Sequence, residues 1–355
     1  RIRVLVVEDS LTVRKRLIEV IGADRELEVV AECDNGQTAT ELCRTLRPDV
    51  ITLDMNLPVM DGVSATEHIM GHFPTPILIV SSSTNRGDLF KTYDALAAGA
   101  VDVLEKPRVD DVPGAWERKF LAAIKLVSRI RVITHLRARL GNVGRAPSPR
   151  VATVSPPWPH GNGQARSVVA LGASTGGPGA LVDVLREISQ DCPAALLVVL
   201  HIDEPFSSAF ADWLSVQTAL PVAYARGGEA LSAAGGRIFM APPGRHLAVR
   251  TGKLWLSPEP ERHSCRPSVD VLFESLAAEC PNEVVACLLT GMGRDGAEGM
   301  LALRRAGALT IAQDEATSVI YGMPREAALL GAAERILPLQ EIGVAVARIA
   351  TRSYG

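Results

Sequence analysis

The sequence predicts an α/β protein with two doubly wound parallel-sheet domains, because short apolar strands alternate along the chain with segments of helical periodicity. The strand-like runs are continuously apolar, which is typical of parallel sheets buried on both faces. A length of 355 residues fits two domains of roughly 100–200 residues each. We therefore expect a first domain over residues 1–125, a connecting segment over 126–166 and a second domain over 167–355.

In the first domain, polar side chains follow four apolar strands, predicted at residues 3–7, 50–53, 77–80 and 101–104. The side chains at these strand ends are Glu8 with Asp9, Asp54, Ser81 and Lys106. Because the carboxyl ends of parallel strands meet at one edge of a sheet, we expect these groups to lie together. Carboxylates that cap helices would explain Asp9 or Asp61 singly, but they would not explain the whole arrangement.

Clustered carboxylates repel one another unless a cation offsets their charge. The sequence therefore predicts a hard, oxygen-binding ion such as Mg²⁺ at this edge, with ligands from Asp9, Asp54 and the Asn56 carbonyl. With Mg²⁺ and Lys106 to neutralise developing phosphoryl charge, Asp54 is well placed to be phosphorylated on its side chain.

The connecting segment is first basic and then rich in proline. Between residues 125 and 150 there are seven Lys or Arg and no Asp or Glu, and the apolar spacing predicts that a helix continues to about Leu140. The prolines that follow indicate a semi-rigid connector. A basic run can mark nucleic-acid binding, but 15 Lys and Arg against 20 Asp and Glu from residue 167 onward argue against a nucleic-acid partner.

The second domain begins with a predicted strand at 168–171, a glycine-rich turn and a segment of helical spacing at 180–188. The turn contains Gly172, Ser174 and Gly176, and glycine neighbours permit a turn sharp enough to lift the serine hydroxyl off the sheet edge. Amides at the helix N-terminus would then stabilise an oxyanion. The pattern alone is weak, because most such turns bind phosphate or simply close a βα unit.

Two further strands end in the side chains that a serine nucleophile needs. His201 follows the apolar run 194–200, and Asp295 lies in a glycine-rich loop after the run 284–289. Nucleophile, base and orienting carboxylate would then come from three strand ends, and such triads are defined by geometry, whatever their sequence order. The sequence leaves alternatives to this triad open. The base could be His246 or His263, and the orienting group could be Asp203 or Asp270. Asp295 could instead be the N-cap of a helix at 296–305, and Cys265 could be a second nucleophile.

Longer motifs are more specific than these spacings. Residues 1 to about 125 resemble a response-regulator receiver domain, and residues 167 to about 350 resemble the catalytic domain of the CheB family of chemotaxis methylesterases. The first resemblance is carried by Glu8-Asp9-Ser, Leu-Asp54-Met-Asn-Leu-Pro58, Asp61-Gly62, Ser81 and Lys106-Pro107. The second is carried by Gly-Ala-Ser174-Thr-Gly-Gly, Arg266-Pro-Ser-Val-Asp, Thr290-Gly-Met-Gly-Arg-Asp295-Gly, Thr310-Ile-Ala-Gln-Asp-Glu and Gly322-Met-Pro-Arg-Glu-Ala327.

The resemblance implies a flavodoxin-like receiver followed by a Rossmann-like methylesterase domain. It implies hydrolysis of glutamate γ-methyl esters on methyl-accepting chemoreceptors, usually with deamidation of receptor glutamines, and phosphoryl transfer from a CheA-type histidine kinase. It also implies Mg²⁺ in the receiver, no cofactor for the esterase chemistry, and a receiver that covers the entrance to the nucleophile until it is phosphorylated.

Site roles are carried over from the resemblance position by position. In the catalytic domain they are Ser174 as nucleophile, His201 as general base and Asp295 as its orienting group, with Thr175 and Met292 as auxiliary residues. In the receiver they are Asp54 as phospho-acceptor, Glu8 and Asp9 as acidic pocket, Lys106 as phosphate-sensing lysine and Ser81 as switch hydroxyl.

The chain departs from the family pattern at several of these places. Glu8 replaces the commoner aspartate, and Val103 stands where many receivers carry an aromatic switch residue. Cys265 stands where a histidine usually precedes the Arg-Pro-Ser-Val-Asp motif. The loop that follows His201 is more acidic than usual, which bears on substrate preference.

The composition, with 47% hydrophobic but only 4% aromatic residues, fits α/β layers rich in Ala, Val and Leu. No apolar run approaches the roughly 20 residues that span a bilayer, and no signal-peptide pattern opens the chain, so we expect a cytoplasmic protein without membrane insertion. The six cysteines form no CxxC pair and are expected to be reduced thiols. Two other functions stay open, a dinucleotide-binding protein, although the G-x-G-x-x-G spacing is absent, and a receiver-regulated non-catalytic adaptor.

Overall fold

The computed structural model describes residues 1–82, 85–107, 112, 114–130, 132 and 166–351, and it confirms the predicted fold class. The strands of the first domain are β1 (Ile2–Val7), β2 (Leu27–Cys33), β3 (Val50–Leu53), β4 (Ile77–Ser81) and β5 (Asp102–Glu105). Its helices are α1 (Leu11–Gly22), α2 (Gly36–Leu46), α3 (Gly62–His72), α4 (Arg86–Ala97) and α5 (Ala115–Val127). The sheet has the order β2-β1-β3-β4-β5, and every neighbouring pair of strands is parallel.

The local sequence explains these elements. Every residue of β3 and β4 is buried, as expected for central strands with helices on both faces. The side chains of Asn35, Asp61 and Asn85 each accept a hydrogen bond from a backbone N–H in the first turn of α2, α3 and α4. Asp61 therefore acts as a helix cap.

The second domain is built on a larger sheet of the same kind. Its strands are β6 (Val168–Ala173), β7 (Ala195–Leu200), β8 (Val222–Tyr224), β9 (Arg237–Met240), β10 (His246–Arg250), β11 (Lys253–Ser257), β12 (Val284–Leu288), β13 (Leu309–Gln313) and β14 (Arg335–Leu337). Its helices are α6 (Gly177–Arg186), α7 (Phe210–Gln217), α8 (Val269–Glu279), α9 (Ala297–Arg305), α10 (Met323–Leu329) and α11 (Leu339–Thr351). The sheet order is β14-β13-β12-β6-β7-β9-β8 with all pairs parallel, and β10 and β11 form a separate antiparallel hairpin.

Each sheet has a point in its interior where the chain turns from one half of the sheet to the other, and ligands of open parallel sheets bind in the crevice at such a point. In the first sheet the crevice lies between the carboxyl ends of β1 and β3. In the second it lies beside β6, which has β12 on one side and β7 on the other. The predicted acidic residues of the first domain and the predicted triad of the second follow these strands, whereas Ser81 ends β4 and Lys106 follows β5.

The helix α5 ends earlier than the sequence predicts. It stops at Val127, where the hydrogen bonds of Arg129 and Ile130 shift to acceptors three residues back and the Ser128 hydroxyl donates to the Lys125 carbonyl. The prediction that the helix continues without a break to Leu140 is therefore wrong at Val127, because hydrogen bonds to acceptors three residues back end the α-helix. The rest of the predicted extension and the proline-rich connector, residues 133–165, lie outside the described residues.

The two domains meet through aromatic side chains, which we call the aromatic contact. It consists of Tyr93 on α4 with Phe206, Phe210 and Trp213 of the second domain, all of them buried. The Tyr93 hydroxyl donates to the Phe206 carbonyl at 2.6 Å, and its ring lies edge-on to Phe210. The Trp213 indole N–H donates to Asp94 at 2.8 Å. Helix α4 of the first domain is thereby joined to the second.

Candidate active site and phospho-acceptor site

Ser174 directly follows β6 and lies in the turn that leads into α6. Its N–H donates to the Thr290 carbonyl at 3.0 Å. Gly176 has φ +77°, and a Cβ there would come within 2.6 Å of Val319, so the turn needs glycine at this position. A Cβ on Gly291 would lie only 2.7 Å from the Ser174 Cβ. The loop after β12 therefore packs directly against the serine.

His201 and Asp295 follow the two strands that flank β6. His201 directly follows β7, and its Nε2 lies 2.9 Å from the Asp295 Oδ2. The His201 side chain is 15% exposed and the Asp295 side chain 2% exposed. The structure thus brings together two residues that are 94 positions apart in the chain.

The Asp295 carboxylate is held by the start of α8. It accepts hydrogen bonds from the Ser268 hydroxyl at 2.7 Å, from the Val269 N–H at 2.7 Å and from the Asp270 N–H at 3.1 Å. Burial alone would raise the pKa of Asp295, but the hydrogen bonds from His201, Ser268 and Val269 outweigh it and lower that pKa. The carboxylate therefore stays charged, at the positive end of a helix dipole.

Asp295 is not the N-cap of the helix that follows it in the chain. The N-cap of α9 is Gly296, which has φ +91°. The alternative role considered from the sequence is therefore wrong, because the carboxylate binds the N-terminus of a different helix.

The His201 ring is held at both of its nitrogens. Nδ1 lies 3.7 Å from the Cys265 Sγ, opposite the contact of Nε2 with Asp295. Burial disfavours the charged imidazolium, but the hydrogen bonds to Asp295 and Cys265 outweigh burial and raise the pKa of His201 to about 9. Among the described residues, none forms a hydrogen bond with the Ser174 hydroxyl, so the serine does not compete for Nδ1 in this state.

The rival residues have other partners. His246 accepts from the Ser268 N–H at Nδ1 and bonds the Pro260 carbonyl through Nε2, so its ring has a structural role. The rival pair His263 and Asp270 lies together, with Nε2 3.1 Å from the Asp270 Oδ2. The remaining rival, Asp203, forms an ion pair with Lys119 of the first domain.

A cavity of about 380 Å³ opens onto Ser174 and His201. Residues of both domains line it. The second domain contributes Thr175 and Cys265 among others, and the first contributes residues of the α4–β5–α5 face, including Val103 and Lys119. The receiver therefore forms one wall of the cavity in which the predicted nucleophile lies. Met292 follows Gly291 in the loop that packs against the serine, and its side chain is 53% exposed.

At the edge of the first sheet, the predicted acidic group is assembled. Glu8, Asp9 and Asp54 each present a carboxylate oxygen, and these oxygens lie within 4.8 Å of one another. Lys106 lies 2.8 Å from Glu8 and 3.0 Å from Asp54. Burial, with the nearby charge of Asp54, raises the pKa of Glu8 to about 7 although Lys106 opposes the shift. Closely spaced acids with one lysine form an oxygen-rich site suited to a divalent cation.

The other predicted receiver residues lie beside this group. Ser81 ends β4 and is buried, and its carbonyl accepts the Lys106 N–H at 3.0 Å. The Asn56 side chain points to α4, where its Nδ2 donates to Asp88 and its Oδ1 accepts from Lys91. These contacts join the loop after Asp54, the predicted phospho-acceptor, to the same helix that carries Tyr93.

Sequence reasoning missed two parts of this site. The amides and the hydroxyl that bind Asp295 come from Ser268 to Asp270, and an N-cap serine in the Arg-Pro-Ser-Val-Asp motif was the available signal. The contact of Cys265 with His201 joins residues 64 positions apart, and only the departure from the family pattern marked it.

Comparison with known proteins gives consistent matches over both domains. The family model described as CheB methylesterase matches residues 169–346, and that of the response regulator receiver domain matches residues 4–112. The protein-glutamate methylesterase/protein-glutamine glutaminase 2 of Anaeromyxobacter dehalogenans is 42% identical over 341 residues, which cover 96% of this chain and 95% of that protein. The protein-glutamate methylesterase/protein-glutamine glutaminase of Nitrosospira multiformis is 40% identical over 98% of this chain and 97% of that protein.

Among solved structures, the catalytic domain of the CheB methylesterase of Thermotoga maritima is 30% identical, with a TM-score of 0.49, over 52% of this chain and 99% of that chain. None of the helices in the described part of the chain combines the length and the apolar character needed to cross a membrane.

Proposed function

Because the chain belongs to the CheB family of protein-glutamate methylesterases/protein-glutamine glutaminases, we propose that it hydrolyses glutamate methyl esters on methyl-accepting chemoreceptors by a Ser-His-Asp mechanism. The observation that carries the mechanism is the His201–Asp295 pair, which meets in the crevice that Ser174 occupies. The family membership and this pair leave no basis for a dinucleotide-binding protein or a non-catalytic adaptor.

In the proposed reaction, the Ser174 oxygen attacks the ester carbonyl carbon while His201 takes the hydroxyl proton. Nδ1 is the accepting atom, because Nε2 is engaged by Asp295. Collapse of the tetrahedral intermediate breaks the bond to the methoxy group, which takes the proton from His201 and leaves as methanol. Water, deprotonated by His201, then attacks the acyl-enzyme and releases the glutamate carboxylic acid and Ser174.

The oxyanion of both steps needs donors close to Ser174. We assign this supporting role to the backbone of Thr175, at the N-terminal side of α6, and to the Met292 loop that packs against the serine. The same steps with a receptor glutamine would release ammonia in place of methanol, which is the glutaminase half of the relatives' name.

The receiver is proposed to regulate this chemistry through Asp54. A histidine kinase of the CheA type would supply the phosphoryl group, and Mg²⁺ would be held by Asp9, Asp54 and the Asn56 carbonyl. When bound, the ion offsets the negative charge of the phosphoryl group. With these partners, we propose that the protein acts in the cytoplasm, does not bind nucleic acid and does not insert into the membrane.

The wall that the receiver contributes to the cavity supports an inhibited resting state. Phosphorylation adds negative charge and hydrogen-bond acceptors beside Lys106 and Ser81. A change in the α4–β5–α5 face would then weaken the aromatic contact and open the cavity to a receptor helix.

The test is demethylation of methyl-labelled receptor by the full-length protein, with and without a small phosphodonor and Mg²⁺. We expect release of labelled methanol that rises at least about tenfold on phosphorylation, which corresponds to about 1.4 kcal/mol of domain contact. Ser174→Ala is the control for hydrolysis at the proposed active site and should release no methanol above background. Asp54→Asn is the control for phosphorylation and should show no stimulation by the phosphodonor. Methanol release that persists in Ser174→Ala would refute the mechanism, and stimulation that persists in Asp54→Asn would refute the phospho-acceptor assignment.

A further inference from the structure

Cys265 is held in place beside the proposed base. It ends a tight turn in which Arg262 and Cys265 exchange two backbone hydrogen bonds, at 3.1 and 2.9 Å. The two central residues of this turn, His263 and Ser264, have φ of +51° and +60°, in the left-handed region that non-glycine residues rarely adopt. Arg262 is in turn paired with Glu274 on α8. The thiol is therefore positioned by the backbone and not by a flexible loop.

Two soft or borderline donor atoms meet at the end of this turn. The Cys265 Sγ lies 3.7 Å from the His201 Nδ1. A tetrahedral Zn²⁺ with bonds of about 2.3 Å to sulfur and about 2.0–2.1 Å to nitrogen holds its ligand atoms about 3.6 Å apart. The 3.7 Å distance between the two atoms therefore matches one edge of a zinc site.

The thiol contacts the same histidine and a carbonyl. The Cys265 Sγ lies within reach of both the His201 Nδ1 and the His263 carbonyl, at 3.7 and 3.4 Å. A thiol carries one proton, so both contacts are hydrogen bonds only when Nδ1 is protonated and donates to sulfur; with Nδ1 unprotonated, one of them lacks a proton. A metal ion would bind the thiolate and the Nδ1 lone pair at once.

We propose that Cys265 and His201 form a binding site for a thiophilic divalent cation, with Zn²⁺ as the preferred ion, and that the bound ion blocks the esterase. The effect on catalysis rests on the proposed function, whereas the binding does not. On binding, the ion accepts one lone pair from the sulfur and one from Nδ1. The thiol proton, and the Nδ1 proton where one is present, leave to solvent. No electron transfer is involved.

The remaining positions around the ion belong to water in the cavity. Asp295 lies close to both residues, but its carboxylate oxygens already accept hydrogen bonds from the start of α8 and contact the His201 Nε2, so we do not include it among the ligands. The cavity that Cys265 and His201 line is open to small solutes and is also lined by Glu261. Mg²⁺ prefers oxygen ligands and is not expected to compete for sulfur and nitrogen.

A bound ion removes the lone pair that accepts the serine proton. General-base catalysis contributes about 10²–10⁴-fold, so saturation with Zn²⁺ should reduce demethylation about 100-fold or more. The catalytic domain would then be inhibited by bound Zn²⁺, independently of the regulation by phosphorylation of the receiver.

The binding test uses Co²⁺ as a spectroscopic substitute for Zn²⁺ on the reduced full-length protein, with excess Mg²⁺ to occupy the acidic site of the receiver. We expect a thiolate-to-Co²⁺ charge-transfer band that saturates at one equivalent and is removed by Zn²⁺. Cys265→Ser and Cys265→Ala should both lose it, and thermal unfolding checks that each is folded. Cys280→Ser is the matched control, since Cys280 is also partly exposed but lies at the end of α8.

His68 and His72, whose rings stack on α3 at 4.4 Å, form another pair able to bind divalent metals. A His68→Gln/His72→Gln variant should therefore keep the thiolate band. Absence of the band in the wild type, or its persistence in Cys265→Ser, would overturn the site.

The activity test compares each variant with its own rate in the presence of a chelator. Zn²⁺ should inhibit the wild type and Cys280→Ser about 100-fold or more and Cys265→Ser less than about twofold, and the chelator should restore the rate. A thiolate band without inhibition would refute the proposal that the bound ion blocks catalysis, but it would still support metal binding at Cys265 and His201. A chain without esterase activity would still show the band, so failure of the proposed function is distinguishable.

Discussion

Asp54 and Asp295 are both buried carboxylates in the crevices of their sheets, yet their hydrogen bonding differs. Asp54 is 3% exposed and Asp295 is 2% exposed. Asp295 accepts from His201, Ser268, Val269 and Asp270, so both of its oxygens are satisfied by fixed donors. Asp54 accepts one backbone N–H, from Met55, and otherwise faces Lys106.

This difference shows what makes a buried carboxylate a permanent charge or a reactive group. A helix N-terminus solvates Asp295 so fully that its oxygens have no capacity left for a new bond. Asp54 has the repulsion of Glu8 and a single donor at each oxygen, Met55 at Oδ1 and Lys106 at Oδ2, so lone pairs remain for the proposed attack on phosphorus. The two carboxylates occupy equivalent positions in their folds, and the number of hydrogen-bond donors around each one accounts for their different proposed roles.

The largest expected effect comes from removing the proposed nucleophile or the base that Asp295 contacts. Ser174→Ala should lower demethylation by about 10³-fold or more, because the triad acts as a unit. His201→Ala should lose a similar amount, while phosphorylation of Asp54 should be unchanged in both. The rate is measured by methanol release from labelled receptor, and labelling of Asp54 by a small phosphodonor is the internal control. More than a tenth of the wild-type rate in Ser174→Ala would show that the nucleophile is another residue.

The same substitution at the two carboxylates tests the comparison directly. Asp295→Asn should lower the rate by about 10²-fold or more, because an amide cannot orient His201 and stabilise its charge. It should also destabilise the domain by about 1–3 kcal/mol, since an amide nitrogen would face backbone donors.

Asp54→Asn should leave the rate of the unphosphorylated protein within about twofold and the stability almost unchanged, because few donors depend on this carboxylate. Denaturant unfolding and methanol release measure both variants. An equal loss of stability in the two would mean that the number of hydrogen-bond donors does not separate their roles.

A smaller effect is expected where the two sites communicate. Tyr93→Phe removes the hydrogen bond to the Phe206 carbonyl, worth about 1 kcal/mol, and should raise the rate of the unphosphorylated protein about fivefold. The phosphorylated rate should change little. Trp213 fluorescence reports opening of the aromatic contact in the same samples. A lower unphosphorylated rate in Tyr93→Phe would contradict the inhibitory role of this contact.

The smallest effect concerns the ion pair between Lys119 and Asp203 at the cavity. Lys119 is 59% exposed and Asp203 48% exposed, so solvent screens the pair and leaves about 0.2–1 kcal/mol. Lys119→Gln should therefore raise the unphosphorylated rate less than about fivefold, and added salt should abolish the difference from wild type. A change as large as that of Asp295→Asn would mean that Lys119 contacts the substrate.

The strand-end positions of the site follow from the sequence, and the contacts between distant segments do not. Apolar runs predicted to end at Leu171, Leu200 and Leu53 indicate which side chains share a crevice, because parallel strands align their carboxyl ends; the first strand extends two residues further, to Ala173. The donors to Asp295 come from the start of α8, whose approach depends on packing against β6 and β12. The choice of His201 over His246 likewise depends on the partners of each ring, since His201 contacts the Asp295 carboxylate while both nitrogens of His246 are bonded to backbone groups, and no spacing reveals this.

Helix α4 carries a consequence for domain exchange. Asp88 and Lys91 on this helix contact Asn56 beside the proposed phospho-acceptor, while Tyr93 and Asp94 contact the second domain. We therefore expect that another receiver can replace this one only if it keeps the α4 residues that contact the second domain. A chimera with a foreign α4 is expected to accept a phosphoryl group without a change in the esterase rate.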